Sequence, residues 1–399
     1  MTSGKWWIAA GCVGATAVLA YLAARHPMDF RVYYYGARGV FDGTKPVYGV
    51  DSGLGWPMHY RYPPLFLLLF APFAALPLGT SAALWTIFKA IALAGLVMAI
   101  VRRFPMPVDR SWWIAILLAA PYVIQEFHYG NAQLFVFALT AASLLITRTH
   151  PLKSAASLAL AISLKVWPLF FVPYLAVRGD RKTVAWTLIL TLGMTLLPSV
   201  YFGVGGNFRL LEQWFHQEYL TQTGAQEIWF PSQSLRGVLM RYLTVIDYSQ
   251  VPDSNYKQIQ IAELNAGRVR SIWLAAAAII YGLFLAQIYR RRRSDGWIES
   301  GLAFCLLALL QPFTQKYALV VLVWPAIVAV RLMHERTARI LIYAALALAL
   351  IQPLIAGAMA QRFMQVMGFD FAVTALLAAA LATGLTSKEH PQNTTMGFA

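Results

Sequence analysis

A succession of long apolar runs is the feature that most constrains the fold of this chain. A helix that spans a bilayer needs about 20 mostly apolar residues, and the first such run extends from Trp6 to Ala24. Further runs lie at 82–101, 112–124, 133–147, 154–178, 183–203, 271–289, 297–312, 317–331, 338–357 and 369–385. Only 12% of the residues are charged, and the mean hydropathy is +0.57, whereas soluble proteins have about 25% charged residues. These runs predict an all-α, polytopic transmembrane protein with about 10–12 membrane segments.

The basic residues predict which side of the membrane each connection faces. The formal net charge of +15 would suggest a nucleic-acid partner in a soluble protein. Threading the runs alternately through the membrane places one set of basic residues on a single side: Lys5, Arg102, Arg103, Arg110, Arg148, Lys153, Arg178, Arg181, Lys182, Arg290 to Arg293, Arg331, Arg336, Arg339 and Lys388. Cytoplasmic connections are enriched in Lys and Arg. The charge therefore indicates a cytoplasmic face, and we expect no nucleic-acid partner.

Two apolar segments do not fit this alternation as single crossings. Residues 63–78 follow Arg61 and two prolines, and we interpret them as a short helix in the outer leaflet. Residues 154–178 contain Lys165 and Pro168 near their middle, and we predict a hairpin of two short helices with Lys165 near its tip. Irregular backbone at membrane depth is tolerated only where it lines a cavity inside the protein. The hairpin therefore marks a candidate site.

The chain is predicted to form one integral-membrane domain over residues 1–385. Two long connections, 25–62 and 204–270, lie on the outer side, and a disordered cytoplasmic tail covers 386–399. Cys12 and Cys305 both lie in apolar runs, so no disulfide framework or cysteine metal site is expected. The seven histidines lack metal-ligand spacing, so we predict no zinc site.

Asp29 is the first candidate catalytic residue. It follows the first membrane helix directly, and no other acidic residue precedes Asp42. A carboxylate at the membrane edge can act as a general base on a hydroxyl group that is delivered there. A helix-capping or loop aspartate is the competing interpretation, and the spacing alone leaves both open.

Basic residues at the predicted outer ends of apolar segments are candidates for binding a phosphate. Lys165 and Lys316 each need an anion or a route to the interface, so phosphate binding and snorkelling are both open. Arg61 could bind a phosphate through two donors, or contact the membrane surface. Lys89 lies about 10 Å into its helix, where snorkelling is the favoured interpretation. The polar turn 125–133 could line the same cavity or be an ordinary connection.

Six short motifs occur in an order that resembles glycosyltransferase family 87. They are Asp29-Phe30-Arg31-Val32-Tyr33-Tyr34, Tyr62-Pro63-Pro64-Leu65-Phe66, Gly130-Asn131-Ala132-Gln133, Leu164-Lys165-Val166-Trp167-Pro168-Leu169, Gln233-Ser234-Leu235-Arg236-Gly237 and Gln311-Pro312-Phe313-Thr314-Gln315-Lys316-Tyr317. The resemblance covers residues 6–385 approximately. The family usually has Gly-Gln-x-Asn where this chain has Gly130, Asn131 and Gln133, and often two histidines where it has Gln315 and Lys316.

The resemblance implies a GT-C fold with the active site on the non-cytoplasmic side. Such enzymes take a sugar from a polyprenyl-phosphate carrier and invert its anomeric configuration. The family aspartate corresponds to Asp29 as the base, and the family lysine corresponds to Lys165. The residues expected to bind the donor phosphate or sugar are Lys165, Lys316, Arg61, Gln315, His128, Asn131, Gln133, Gln233 and Ser234.

The expected function is therefore an inverting transfer of a sugar, most simply mannose, to a hydroxyl of a glycolipid or glycan acceptor. The donor is a polyprenyl-phosphate sugar, the protein lies in the cell membrane among its lipids, and the site faces outward. The chemistry does not demand a metal, although some GT-C enzymes use a divalent cation. A pentosyl transferase such as an arabinofuranosyltransferase and a flippase for lipid-linked sugar are the alternatives, with a non-catalytic scaffold as a third. Charges clustered at the outer ends of the helices favour an enzyme over a transporter.

Overall fold

A computed structural model describes residues 4–43, 46–49, 59–103, 111–220, 232–246, 248, 258–291, 296–354 and 357–386. Apart from Thr386, the predicted tail 386–399 lies outside these residues, as do Arg110, Arg292 and Arg293 and parts of both long connections. Every regular element in the described ranges is helical. The predicted all-α fold is confirmed.

The helices are α1 (Gly4–Arg25), α2 (Phe30–Phe41), α3 (Pro64–Ala74), α4 (Leu78–Arg103), α5 (Trp112–Tyr129), α6 (Gln133–Ile146), α7 (Pro151–Leu164), α8 (Phe171–Arg178), α9 (Arg181–Leu196), α10 (Ser199–Phe215), α11 (Leu235–Leu243), α12 (Ala266–Arg290), α13 (Trp297–Leu310), α14 (Val323–Ala329), α15 (Arg336–Leu354), α16 (Ala358–Met367) and α17 (Phe369–Thr386). Short 3₁₀ helices occupy Trp167–Phe170, Lys316–Leu322 and Val330–Leu332, and a π turn covers His216–Leu220.

Several of these helices are suited to a bilayer. Helices α4, α12 and α15 are each long and apolar enough to cross a membrane. Two bent pairs reach that length together, α9 with α10 and α16 with α17. Large apolar side chains such as Ile91 and Leu283 are more than 60% exposed, which lipid satisfies and water does not. The chain is a polytopic membrane protein. The number of segments stays a prediction, because other apolar helices, among them α3, α6, α7 and α13, have only 11–14 residues.

Helix α13 forms the centre of the molecule. Every residue from Ile298 to Leu310 is buried, which agrees with a helix that is apolar on all sides. It packs against α17 and against the segment 316–329. The apolar run 297–312 is therefore an internal helix, and the lipid-facing surface belongs to its neighbours.

The structure contains the predicted hairpin between 154 and 178. The Lys165 ammonium donates to Gln133 at the start of α6, whereas Ser154 bonds Ser143 near the end of α6. Helix α7 therefore runs antiparallel to α6. By Thr183 the chain has returned to the far end of α6, because the Thr147 and Thr183 hydroxyls are 3.1 Å apart. The reversal occurs at Lys165–Trp167, between α7 and α8. We call the end of the bundle that contains Asp29 and Lys165 the Asp29 end.

The first long connection is more regular than its composition suggests. Within 25–62, residues Phe30–Phe41 form the helix α2, which buries Phe30, Tyr33 and Tyr34. Helix α3 packs against α2 and has 11 residues, a length of about 16 Å that is half of the bilayer core. Its length fits the predicted short helix, although the outer-leaflet position itself stays a prediction.

The run 183–203 does not form one straight crossing. Helix α9 ends at Leu196, and the axis turns by 92° into α10. Pro198 precedes α10, and a proline cannot donate the backbone hydrogen bond that would continue α9. Helix α10 then contacts α3 and leads into the π turn at the Asp29 end.

Candidate active site

Asp29 lies at the junction between α1 and α2 and is partly buried. It occupies the N-cap position of α2, but its carboxylate makes no capping hydrogen bond. The carboxylate instead accepts a hydrogen bond from the Asn131 side-chain amide, with Nδ2 and Oδ2 3.3 Å apart. The capping interpretation therefore lacks support, and Asp29 is available for chemistry at this end of the bundle.

Burial raises the pKa of the Asp29 carboxyl from 3.8 to about 6. Desolvation is the largest cause, and the hydrogen bond from Asn131 opposes it by stabilising the charged form. Near neutral pH the group is still mostly ionised. A carboxylate whose pKa lies close to the working pH is a more effective proton acceptor than an exposed aspartate.

The turn after α5 joins Asp29 to Lys165. Its residue Asn131 donates to Asp29 and accepts a hydrogen bond from the Tyr62 hydroxyl at 3.0 Å. Gln133 is the first residue of α6, and its side-chain oxygen accepts a hydrogen bond from Lys165 Nζ at 2.8 Å. Asn131 and Gln133, two of the predicted binding residues, therefore link the candidate base to the candidate phosphate-binding lysine.

Lys165 lies beyond the end of α7, with Nζ 5.8 Å from the centre of the Tyr62 ring. Burial, with a smaller contribution from the charge of Arg61, lowers the pKa of its ammonium from 10.5 to about 8. An anion placed beside Lys165 would offset both effects. The surroundings therefore favour the phosphate-binding interpretation over snorkelling.

Arg61 supplies a second positive charge near Lys165. Its guanidinium carbon lies 6.0 Å from the centre of the Phe313 ring. Its backbone carbonyl accepts a hydrogen bond from the Trp214 indole at 3.1 Å, which fixes the segment before α3 against α10. Arg61 and Lys165 thus come from distant parts of the sequence to the same region.

Lys316 is held differently from Lys165. Its Nζ donates to Gln352 at 2.8 Å and lies 3.8 Å from the buried Asp370 carboxylate. This gives Lys316 an internal anion, so phosphate binding by Lys316 stays a prediction. Gln315 precedes it as the N-cap residue of the 3₁₀ helix Lys316–Leu322, where its carbonyl accepts from Ala318 N.

The other predicted binding residues have no hydrogen bond to Asp29 or Lys165 among the described contacts. His128 is exposed on the last turn of α5, with its ring 5.2 Å from that of Tyr129. Gln233 is buried, donates to the Gln365 carbonyl and accepts from Phe371 N. Ser234 caps α11 and donates to the Pro312 carbonyl. These bonds give Gln233 and Ser234 structural roles, and their contact with a donor stays a prediction.

The sequence analysis missed a group of tyrosines around Asp29. Burial raises the pKa of Tyr33 and Tyr129, and the negative charge of Asp29 raises the pKa of both further, so the three groups lie in one region. Tyr129 and Tyr317 also contact each other, with ring centres 5.7 Å apart. Aromatic faces with nearby polar groups are suited to sugar rings. The Tyr-rich composition of residues 33–62 was the available signal.

The interpretation of Lys89 as a snorkelling residue was wrong. Its side chain is fully buried, and its Nζ lies 3.1 Å from a carboxylate oxygen of Glu126. Glu126 belongs to the polar turn 125–133, so the signal was present in the sequence. The two residues are 37 positions apart in the sequence. They meet where α4 packs against α6, beside the last turn of α5.

The described residues contain no group of three His, Cys, Asp or Glu side chains placed to share a metal ion. A metal ion held jointly by the protein and a phosphate would need fewer protein ligands. The metal requirement of the site therefore stays open.

Comparisons with known proteins find a matching family and similar sequences. The model of glycosyltransferase family 87 matches residues 60–312, which include Arg61, the turn 125–133 and the hairpin. No solved structure matches the chain.

Three mycobacterial proteins are similar in sequence. A polyprenol-phosphate-mannose-dependent alpha-(1-2)-phosphatidylinositol mannoside mannosyltransferase of Mycobacterium tuberculosis is 27% identical over 61% of this chain and 60% of its own length. A protein of the same description from Mycolicibacterium smegmatis is 31% identical over 40% of each chain. A polyprenol-phosphate-mannose-dependent alpha-(1-2)-phosphatidylinositol pentamannoside mannosyltransferase of M. tuberculosis is 27% identical over 46% of this chain and 45% of its own. The matched part of the chain thus spans 60% of the length of the first relative and 40–45% of the length of the other two.

Gly130 provides a test of the turn that holds Asn131. Its φ is +68°, and an added Cβ would lie 3.1 Å from the Phe30 Cβ. We expect Gly130→Ala to lower the free energy of unfolding by about 1–3 kcal/mol, because alanine is strained at this φ and displaces α2. The measurement is thermal unfolding in detergent. Gly282→Ala in α12 is the matched control, since its Cβ meets nothing within 4 Å. Equal midpoints for both variants would contradict the prediction.

Proposed function

The chain belongs to glycosyltransferase family 87, and on this premise we propose that it transfers mannose from polyprenyl phosphate to a hydroxyl of a glycolipid or glycan acceptor. The observation that carries the proposal is the hydrogen-bonded path from Asp29 through Asn131 and Gln133 to Lys165. It links a carboxylate and an ammonium group at one end of the bundle. The names of the similar mycobacterial proteins support the donor, polyprenol-phosphate mannose, and a phosphatidylinositol mannoside as the type of acceptor.

Asp29 accepts the proton in the proposed step. The acceptor oxygen attacks the anomeric carbon of mannose from the face opposite the phosphate, and its proton moves to a carboxylate oxygen of Asp29. The raised pKa of Asp29 suits this role. The Asn131 amide orients the carboxylate, and its second bond to Tyr62 fixes the amide itself.

Lys165 and Arg61 stabilise the leaving group. The bond between the anomeric carbon and the phosphate oxygen breaks, and its electron pair leaves with polyprenyl phosphate. The leaving group gains negative charge during this step, so cations beside it stabilise the transition state more than the ground state. These two cations supply positive charge beside the phosphate, and the anomeric configuration of mannose inverts.

The proposed side of the membrane is the outer one. The connections opposite the Asp29 end carry exposed basic residues such as Arg102, Arg181 and Lys182, which the positive-inside rule assigns to the cytoplasm. The polyprenyl tail of the donor partitions into the bilayer, where the helices of this protein expose large apolar side chains. We place the protein in the cell membrane on the same grounds.

Asp29→Asn tests the base. The amide keeps the size of the side chain but cannot accept the proton, so we expect kcat to fall at least about 100-fold. Transfer is measured with purified protein, a short-chain polyprenyl-phosphate mannose and a glycolipid extract. Asp42→Asn, at the exposed end of α2, is the control and should keep the wild-type rate. Near-normal transfer by Asp29→Asn would remove Asp29 from the mechanism.

The pH profile of the wild type tests the same assignment. Because the pKa of Asp29 is raised to about 6, protonation below that pH removes the base, and kcat/KM should fall about tenfold per pH unit. Above about pH 8 the rate should fall again as Lys165 loses its proton. A flat profile between pH 5 and 7 would contradict the role of Asp29.

The same assay distinguishes the alternative functions. Transfer of arabinofuranose in place of mannose would support a pentosyl transferase. Movement of the lipid-linked sugar between leaflets without release of polyprenyl phosphate would support a flippase.

Lys165→Met tests the phosphate contact. Removing a charge-assisted hydrogen bond should lower kcat/KM for the lipid donor about 10- to 100-fold. The folded yield should change little, because the methionine retains the apolar stem. Lys153→Met is the matched control, since Lys153 is exposed at the opposite end of α7. Equal kcat/KM in the two variants would show that Lys165 does not bind the donor.

Cysteine labelling tests the side of the membrane. In a background without Cys12 and Cys305, a cysteine at Asp42 should react with an impermeant thiol reagent in intact cells. A cysteine at Lys182 should react only after the cells are opened, because the two residues lie at opposite ends of the bundle. Both positions are exposed. The reverse pattern would place Asp29 on the cytoplasmic side.

A further inference from the structure

A buried ion pair lies beneath the turn that carries Asn131. The side chains of Lys89 on α4 and Glu126 on α5 are both 0% exposed, with Nζ and Oε1 3.1 Å apart. Removing two charges from water costs several kcal/mol per ion, and their attraction offsets this only with good geometry and further hydrogen bonds. Such a pair contributes little net stability, so its additional bonds indicate what it does.

Glu126 joins the two ends of the turn. Its carboxylate oxygen Oε1 accepts a hydrogen bond from Leu134 N at 3.0 Å, and Leu134 is the second residue of α6. The first backbone N–H groups of a helix have no partner within the helix and favour a negative charge. Glu126 therefore connects the last turn of α5 to the first turn of α6 across residues 127–133.

Helix α4 supports this turn at two points one helical turn apart. Lys89 Nζ donates to the Glu126 backbone carbonyl at 2.5 Å. Trp85 Nε1 donates to the Gly130 carbonyl at 3.0 Å. Side chains at positions i and i+4 lie on the same face of a helix, so α4 holds both the beginning and the middle of the turn.

The turn held in this way carries the contacts of the proposed site. Asn131 donates to Asp29, and Gln133 accepts from Lys165. We propose that Lys89 and Glu126 are positioning residues that keep the turn 127–133, and with it Asn131 and Gln133, in place against Asp29 and Lys165. This inference rests on the proposed sugar transfer, and it adds residues that touch neither donor nor acceptor.

The pKa of Asp29 depends on the charged groups around it, so a change in this pKa reports whether Glu126 lies nearby. The titratable and charged groups that face Asp29 are Lys89 on α4, Glu126 and Tyr129 on α5, Lys165 after α7, Tyr33 on α2, Tyr62 before α3 and Tyr317 in the segment 316–322. Burial is the largest cause of the raised pKa of Asp29, and the negative charge of Glu126 adds to it. We therefore expect loss of the Glu126 charge to lower the pKa of Asp29.

Two substitutions of Glu126 separate its hydrogen bonds from its charge. Glu126→Gln keeps an oxygen that can accept from Leu134 N and Lys89, whereas Glu126→Ala removes both. Glu299→Gln and Glu299→Ala are the matched controls, because Glu299 forms a buried pair with Arg178, 3.3 Å away, at the opposite end of the bundle. Mannose transfer is measured between pH 5 and 8. The pH dependence of dicyclohexylcarbodiimide labelling at Asp29, followed by peptide mass, reports its protonation without requiring activity.

At pH 8 we expect Glu126→Ala to lower kcat about 10- to 100-fold, since small displacements of an orienting group have effects of this size. Glu126→Gln should keep a kcat close to that of the wild type. In this variant, the pH below which transfer falls and the midpoint of Asp29 labelling should both move to lower pH. A folded Glu126→Ala with wild-type kcat, or a loss matched by Glu299→Ala, would overturn the inference. If Glu126→Ala does not fold, an unmoved labelling midpoint in Glu126→Gln would overturn it. A wild type that transfers no sugar would refute the proposed function, while the labelling midpoint would still test the position of Glu126.

Discussion

The lack of water inside a bilayer is the constraint on which this structure depends. A charged group among apolar helices must find its partner within the protein. Three buried carboxylates show the result, because Glu126 pairs with Lys89, Glu299 with Arg178 and Asp370 with Lys316. Each pair joins segments that are distant in the sequence. The pairs therefore fix how the helices meet, and Lys89–Glu126 does so directly beneath the candidate site.

The sequence predicted the parts of the structure that follow from local patterns. Apolar runs identified the helices, and Lys165 with Pro168 identified the reversal between α7 and α8, because both features disfavour a continuous apolar helix. The order of short motifs indicated that Asp29 and Lys165 belong to one site, and the structure connects them through Asn131 and Gln133.

What the sequence did not predict depends on contacts between distant residues. Snorkelling was a reasonable expectation for Lys89, because the position of a lysine along one helix does not reveal a carboxylate on another. The same holds for Lys316, whose neighbour Asp370 follows it by more than fifty residues. Gln233 belonged to a recognised motif, yet its hydrogen bonds to Gln365 and Phe371 could be found only from the packing of the segment before α11 against the end of α16 and the start of α17.

The bend between α9 and α10 has a consequence for the surrounding membrane. If α9 crosses the bilayer, the turn of 92° lays α10 along its surface. Beyond the kink of α10 at Gly203, Val204, Phe208 and Phe215 form an exposed apolar stripe. Trp214 of the same helix holds the backbone of Arg61. The depth of α10 in the interface then determines the height of Arg61 relative to the lipid headgroups. Bilayer thickness and headgroup packing therefore affect the distance between Arg61 and the phosphate of a lipid-linked donor.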